Sequence, residues 1–94
     1  MILVVDSGSS KTDWIAVDKV GKVLFSTQTL GLNPQVLSSE ILKERILNNF
    51  DLYQNREKIT HLYFYGAGCG LESPQLRIQK VFDIIFINCK TLIK

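Results

Sequence analysis

The sequence is poor in the residues that mark several classes of protein. Its 94 residues include two cysteines and one histidine. Cys69 and Cys89 lie far apart and form no C-x-x-C pair, so we expect reduced thiols rather than a disulfide or a metal site. The Lys and Arg residues are scattered singly and leave a net charge of +2. Without a basic stripe, neither nucleic acid nor an anionic membrane surface is an expected partner.

Long apolar runs are also lacking. The opening run over residues 2–5 has no basic leader and is too short for the core of a signal peptide. No stretch approaches the roughly 20 apolar residues that a membrane span requires. We therefore expect a cytoplasmic protein with no membrane partner. The length fits one domain, which can enclose one core but cannot by itself wall a deep two-sided cleft.

Turn-forming residues separate five predicted strands. The apolar runs predict strands over residues 2–5, 12–18, 22–29, 59–65 and 84–87. The continuous run of the first strand is typical of a strand that is buried on both faces. Short turns join the first three strands, so these are expected to form an antiparallel meander.

A first helix is predicted after the meander. Ser38 has the side chain of an N-cap residue. Helical spacing places four apolar residues on the core-facing side of this helix, namely Leu42, Ile46, Leu47 and Phe50. Residues 51–58 are polar and are predicted to form a loop that leads into the fourth strand.

A second helix is predicted between the last two strands. Ser73 and Pro74 suit the N-cap and the first helical position, and the helix continues to about Phe82. The element order is therefore βββαβαβ. Right-handed crossovers then predict a mixed five-stranded sheet in the order 3-2-1-4-5 with covering helices. This is the α/β architecture of a ribonuclease H-like, or actin-like ATPase, half-domain.

The segment from Asp6 to Thr12 carries the clearest chemical signal. A carboxylate at the end of a buried strand can hold a hydrated Mg²⁺ ion, and Gly8 lets the backbone approach a phosphate closely. The hydroxyl residues that follow can line phosphate oxygens. A hairpin loop rich in Gly and Ser has the same composition, however, and both interpretations stay open on composition alone.

Three motifs in order resemble a known family. The sequences DSGSSKTDW, GLNP and YGAGC resemble the N-terminal half of N-acetylglucosamine kinase-like proteins of the BadF/BadG/BcrA/BcrD ATPase family. That family belongs to the superfamily of sugar kinases, heat-shock chaperone ATPases and actin. The resemblance covers residues 1 to about 82. It implies that residues 1–94 are a single N-terminal ATPase or kinase subdomain, a fragment that lacks the second domain.

The resemblance also implies roles for residues of each motif. Asp6 would face Mg²⁺ through water. The β- and γ-phosphates of ATP would be cradled by Gly8, Ser9, Ser10, Lys11 and Thr12. Asn33 would hydrogen-bond a sugar hydroxyl. The border of the sugar and phosphate site would be formed by Gly66, Ala67, Gly68 and Cys69.

Structural roles compete with several of these assignments. Asn33 precedes a proline and can simply shape a turn. Gly66 and Gly68 can serve only the bend after a strand. Lys11 can be a solvated surface lysine, and Cys69 can be an inert thiol. The residues alone do not decide between these roles and the ligand-binding ones.

The implied function is ATP-dependent phosphorylation of an amino sugar such as N-acetylglucosamine, with ATP, Mg²⁺ and the sugar as ligands of the full-length form. The family places an aspartate after the fifth strand, whereas residues 89–94 contain no carboxylate. We therefore assign no catalytic residue and expect the chain to be inactive alone.

Three alternatives remain open. One is an ATPase that activates a dehydratase or a reductase. Another is a ribonuclease H-like nuclease, which would need further acids beside Asp6 to bind two metal ions. The non-enzymatic alternative is a half-domain that binds a partner or forms a homodimer through its exposed half-site face.

Overall fold

The computed structural model describes residues 1–66, 68 and 70–94. The described strands are β1 (Ile2–Ser7), β2 (Lys11–Val17), β3 (Val23–Leu30), β4 (His61–Gly66) and β5 (Lys90–Ile93). The described helices are α1 (Ser39–Leu47), α2 (Phe50–Asn55) and α3 (Glu72–Ile85).

The strands form one mixed sheet. Its order is β3-β2-β1-β4-β5. The pairs β1–β2 and β2–β3 are antiparallel, whereas β4 runs parallel to both β1 and β5. The predicted α/β fold class and strand order 3-2-1-4-5 are confirmed.

The described helices cover one face of the sheet. Side chains alternate between the two faces of a strand, and along β1 Leu3 and Val5 are buried whereas Val4 is 39% exposed. On β2, Trp14 and Ala16 are buried and Ile15 is 41% exposed. The prediction that the first strand is buried on both faces is therefore wrong for the described residues. A continuous apolar run shows that both faces are apolar, not that both are covered.

The core between the sheet and the helices is built around aromatic rings. Phe82 of α3 lies edge-on to Trp14, with 6.4 Å between ring centroids, and its centroid is 5.2 Å from that of Phe64 on β4. The indole N–H of Trp14 donates to the Thr29 hydroxyl at 3.0 Å. Trp14 is thus a core residue whose polar atom is satisfied, as expected of a buried tryptophan.

The first helix begins where the sequence predicts and ends earlier. The Ser38 hydroxyl accepts a hydrogen bond from the Ile41 N–H at 3.3 Å, as an N-cap does. Leu42 and Ile46 are buried. The predicted apolar stripe is wrong beyond Ile46, because Leu47 is 37% exposed.

A second cap explains that early end. The side chain of Asn49 accepts from the Leu52 N–H at 3.1 Å and caps α2, which continues to Asn55 and so extends into residues 51–58, the segment that was predicted to be a loop. Phe50 is therefore the first residue of α2 and is 72% exposed. An asparagine that can cap its own downstream turn competes with continuation of the helix before it.

The third helix differs from the prediction at both ends. It begins at Glu72 with Leu71 at the N-cap, so Pro74 occupies the third helical position and Ser73 is not the cap. Proline is tolerated there because the first N–H groups of a helix have no intrahelical partner. The helix continues through Ile84 and Ile85, and the last strand, predicted over residues 84–87, lies at β5 instead. A short apolar run does not distinguish a buried helix from a strand.

In the part of the chain that the structure describes, no helix combines the length and the apolar character needed to cross a bilayer.

Candidate functional site

The turn between β1 and β2 is a short loop whose outer surface is open. The Gly8 N–H donates to the Lys11 carbonyl at 2.9 Å and closes the end of the hairpin. Five residues that the resemblance assigns to Mg²⁺ and phosphate are exposed, namely Asp6, Gly8, Ser9, Ser10 and Lys11. A ligand could therefore reach the loop directly.

Thr12, the sixth predicted residue, faces inward. It is fully buried, and its hydroxyl donates to the Leu30 carbonyl at 3.1 Å. The Ser7 and Thr12 hydroxyl oxygens are 2.9 Å apart, and the Ser7 oxygen accepts from the Leu32 N–H at 3.0 Å. Since Thr12 has a single hydroxyl hydrogen, Ser7 must donate to Thr12 when Thr12 donates to Leu30. This continuous chain of hydrogen bonds links the inner side of the loop to the end of β3.

Gly31 lets the segment after β3 lie directly against the loop. Its N–H donates to the Ser10 carbonyl at 3.0 Å. A Cβ at this position would lie 2.9 Å from the Gly8 carbonyl oxygen and closer still to that of Ser9. Both neighbours are backbone atoms, which cannot rotate away as a side chain can. The GLNP motif therefore needs glycine here for packing.

Gly8 is a glycine that the described fold does not require. Positive φ values occur only at Gly21 and Gly68 among the described residues. A Cβ on Gly8 would have the Lys11 carbonyl as its nearest neighbour, at an ordinary 3.6 Å. Neither the backbone conformation nor the packing explains why residue 8 is a glycine. A bare backbone at the outer surface of the loop is what close approach of a ligand phosphate would use.

Two arginines hold the GLNP segment from the helices. Arg45 of α1 donates through Nη1 to the Gly31 carbonyl at 2.6 Å. Arg77 of α3 donates through Nη1 to the Pro34 carbonyl and, at 3.4 Å, to that of Leu37. Neither arginine was predicted from the sequence to belong to the site. The one sequence feature that could have indicated them is that each arginine directly precedes a buried isoleucine of its helix, which places it at the margin of the core.

Asn33 lies against the turn that follows β4. Gly68 has a φ of +80°, and a Cβ on it would overlap the Asn33 Oδ1 atom. The same Oδ1 accepts from the Gln35 N–H at 2.9 Å, which fixes the orientation of the amide. Gly66, the last residue of β4, pairs with Ser7 of β1. Ala67 and Cys69, the other two residues predicted to border the sugar, lie outside the described residues.

The structure thus brings the three motifs to one edge of the sheet. The loop after β1 and the turn after β4 follow the carboxyl ends of two parallel neighbours, and the GLNP segment touches both. Ligands of open α/β sheets bind at this edge. The fold therefore brings together motifs that lie far apart in the sequence, from the loop after β1 to the turn after β4.

Asp6 has a second carboxylate beside it. Asp13 lies opposite Asp6 in the β1–β2 register, and Gln28 donates to the Asp13 Oδ1 at 2.6 Å. These side chains border a shallow cavity of about 700 Å³ on the uncovered face of the sheet. An exposed carboxylate offers the oxygen donor that a hydrated Mg²⁺ accepts, so Asp6 fits the predicted water-mediated metal contact.

Cys89 shows none of the features of a reactive thiol. Burial, the largest effect, raises the pKa of this thiol, and the nearby Asp83 raises it further, while a hydrogen bond from Thr91 opposes both. A raised pKa keeps the thiol protonated near neutral pH and lowers its nucleophilicity. Cys89 is a free cysteine in the structure.

A solved structure that is similar over almost the whole chain has been compared with it. It is a protein from Porphyromonas gingivalis that is provisionally named an N-acetylglucosamine kinase, with a TM-score of 0.81 and 33% sequence identity. The match covers 99% of this chain and 33% of that one. The chain therefore spans about a third of the length of this similar protein. No protein-family model matches the sequence, and no curated protein sequence matches it significantly.

The comparison supports a sugar kinase-like fold. At 33% identity, the two proteins are similar in sequence as well as in backbone structure over the matched region. It agrees with the resemblance found in the three motifs, and it places this chain alongside one third of a kinase-like protein.

Proposed function

We propose that residues 1–94 form the N-terminal subdomain of an ATP-dependent amino-sugar kinase-like protein and bind the nucleotide phosphates and part of the sugar. One observation carries the proposal: three motifs that are separated in sequence meet at one edge of the sheet. The provisional name of the similar P. gingivalis protein supports the same substrate class, N-acetylglucosamine.

The phosphate half of the proposed site is the loop after β1. Asp6 would hold Mg²⁺ through water, and Gly8 would let the β- and γ-phosphates of ATP approach the backbone. Ser9, Ser10 and Lys11 are exposed and would line the phosphate oxygens. Thr12 would contribute by holding the loop in shape, because its hydroxyl is already used inside the fold.

The sugar half of the proposed site is the GLNP segment with the turn after β4. Asn33 is oriented by its bond to Gln35 and lies against Gly68, so its amide would meet a hydroxyl of the sugar. Gly66, Ala67, Gly68 and Cys69 would border the same space. Gly66 and Gly68 carry no side chain, which would leave room for a ring to approach the phosphate loop.

Phosphoryl transfer needs more than these residues. Mg·ATP supplies the phosphoryl group, and donors on the loop would stabilise the charge that develops on it. A base must also orient the sugar hydroxyl, and residues 89–94 offer no carboxylate for that task. We therefore propose that the 94-residue chain binds its ligands weakly and transfers no phosphate by itself.

Calorimetric titration of the chain with Mg·ATP and with AMP tests this proposal. We expect millimolar binding of Mg·ATP, no binding of AMP, which lacks the β- and γ-phosphates, and no sugar phosphate in a coupled assay. Asp6→Asn should weaken Mg·ATP binding by about tenfold, which corresponds to about 1.4 kcal/mol. Asp18→Asn, in the turn after β2, is the matched control and should leave binding unchanged.

Two results would contradict the proposal. One is equal binding of Mg·ATP and AMP, which would place the contacts away from the phosphates. The other is unchanged binding of Mg·ATP by the Asp6→Asn variant.

Neither of the two enzymatic alternatives gains support from a particular observation. Within residues 1–66, 68 and 70–94, no group of three or more His, Cys, Asp or Glu side chains is placed to hold a metal ion. The nuclease alternative would call for such a group. The dehydratase- or reductase-activating ATPase is likewise favoured by no contact in the described residues.

A further inference from the structure

Arg77 of α3 reaches a segment that lies far from it in the sequence. Its Nη1 atom donates to the Pro34 carbonyl, 43 residues away, and to the Leu37 carbonyl at 3.4 Å. The arginine is half-buried and directly precedes Ile78, which is fully buried in the core. Hydrogen bonds from a charged donor are stronger than those between neutral groups. Arg77 therefore ties the segment after β3 to a helix that the core holds in place.

The two carbonyls belong to one compact turn that begins at Asn33. The Asn33 carbonyl accepts from the Val36 N–H at 3.3 Å and from the Leu37 N–H at 3.0 Å. The Asn33 side chain accepts from the Gln35 N–H at 2.9 Å. Since each of these bonds returns to Asn33, the turn moves as a unit, and a displacement of its other carbonyls would displace Asn33 as well.

The surface that Asn33 touches is carried by the same stretch of chain as Arg77. Gly68 lies against the Asn33 Oδ1 atom, at a place where a Cβ would overlap that oxygen. The helix α3 begins at Glu72, four residues further along the chain. The bonds from Arg77 therefore set the distance between the turn at Asn33 and the segment to which Gly68 belongs.

A different arginine holds the other end of the same segment. Arg45 of α1 donates to the Gly31 carbonyl at 2.6 Å, and the Gly31 N–H donates to the Ser10 carbonyl of the loop after β1 at 3.0 Å. The buried Thr12 hydroxyl holds that loop further. None of these bonds involves the turn at Asn33. The phosphate half and the sugar half of the proposed site are thus held by separate contacts.

We propose that Arg77 is a positioning residue for the sugar half of the site: it holds Asn33 where the amide meets a sugar hydroxyl, and it contacts neither the sugar nor the nucleotide. This inference rests on the proposed function. Groups that recognise a ligand must be held within about 0.5 Å of the productive geometry. Loss of the Arg77 bonds should therefore weaken binding of N-acetylglucosamine and leave binding of Mg·ATP unchanged.

Two variants separate the hydrogen bonds of Arg77 from its packing. Arg77→Met removes the donors and keeps much of the apolar stem. Arg77→Lys keeps a charged donor but not the planar fork of the guanidinium group. Lys80→Gln is the matched control, because Lys80 is exposed about one turn further along α3 and lines the same surface cavity as Arg77.

Titration of the ¹⁵N-labelled chain and its variants with N-acetylglucosamine and, separately, with Mg·ATP tests the proposal. We expect Arg77→Met to weaken sugar binding by about tenfold, as the loss of one hydrogen bond to the sugar would do, with an unchanged affinity for Mg·ATP. The sugar affinity of Arg77→Lys should lie between those of Arg77→Met and the original chain. Lys80→Gln should match the original chain with both ligands.

A measurement without ligand tests the placement of Asn33 directly. The nuclear Overhauser effect between the Asn33 side-chain amide and the Gly68 α protons should weaken in Arg77→Met and stay unchanged in Lys80→Gln. Circular dichroism of each variant confirms that it is folded. If Arg77→Met does not fold, Arg77→Lys carries the same test, since it too should bind the sugar more weakly than the original chain and bind Mg·ATP equally well.

Equal sugar affinity in Arg77→Met and the original chain would overturn the proposal. Equal losses of affinity for the sugar and for Mg·ATP would also overturn it, because they would show a general structural role, as would an Arg77→Lys variant that binds the sugar no better than Arg77→Met. Failure of the proposed function gives a different result: the original chain itself would then bind no sugar, and the inference would fall with it.

Discussion

Replacement of Gly31 by alanine should lower the free energy of unfolding by about 2–4 kcal/mol. The new Cβ would press on the Ser9 and Gly8 carbonyls, which belong to the backbone of the loop. Either the loop or the GLNP segment must move, and the bond from the Gly31 N–H to the Ser10 carbonyl is then weakened. Small domains are stable by only about 5–15 kcal/mol, so the loss is a large part of the total.

Urea unfolding followed by tryptophan fluorescence measures this effect. Trp14 is the single tryptophan and is fully buried, so its emission reports on the core. The matched control is Gly8→Ala, where the nearest atom to the new Cβ is 3.6 Å away. It should change stability by no more than about 0.5 kcal/mol. Equal losses in the two variants would contradict the packing that we describe between the loop and GLNP.

Replacement of Thr12 by valine should cost about 1–3 kcal/mol of stability. Valine has nearly the shape of threonine, but it can neither accept a hydrogen bond from the Ser7 hydroxyl nor donate one to the Leu30 carbonyl. The buried Ser7 hydroxyl then loses its 2.9 Å partner and has only the Gly8 carbonyl, at 3.4 Å, left to donate to, whereas the Leu30 carbonyl still accepts from the Thr29 hydroxyl. The midpoint of urea unfolding should fall, while the slope of the free energy against urea concentration should stay the same.

A second variant separates the hydroxyl from the rest of the side chain. Thr12→Ser keeps the hydroxyl and should retain more stability than Thr12→Val, although it loses a buried methyl group. Ser10→Ala removes an exposed hydroxyl of the same loop and should have little effect. A Thr12→Val variant as stable as the original chain would show that the buried hydroxyl chain does not hold the loop.

The strand order could be predicted from the sequence because few topologies were available. Short turns forced the first three strands into a meander, and right-handed crossovers left β4 beside β1 and β5 beyond it. The ends of the helices could not be predicted as well. The Asn49 side chain caps α2, which extends into a polar segment that was predicted to be a loop. The apolar run at Ile84 belongs to α3 rather than to a strand.

The candidate site was predictable only in part, because some of its residues act through contacts that no local sequence pattern indicates. The motif residues Asp6, Gly8 and Asn33 have types that suggest ligands, and the strand order brings them to one edge. Arg45 and Arg77 act by donating to backbone carbonyls of another segment. Contacts between a side chain and a distant backbone have no period along the sequence, so no local pattern indicates them.

The central claim is that the loop after β1 binds the phosphates of a nucleotide and that the turn after β4 borders the same site. Titration of ¹⁵N-labelled chain with Mg·ATP, followed by amide chemical shifts, tests it most directly. The account predicts that the amides of Ser9, Ser10, Lys11 and Gly68 shift together with a single affinity, that Gly8→Ala abolishes these shifts in a folded protein, and that Val20 does not respond. Shifts confined to other parts of the chain, or unchanged shifts in the Gly8→Ala variant, would contradict it.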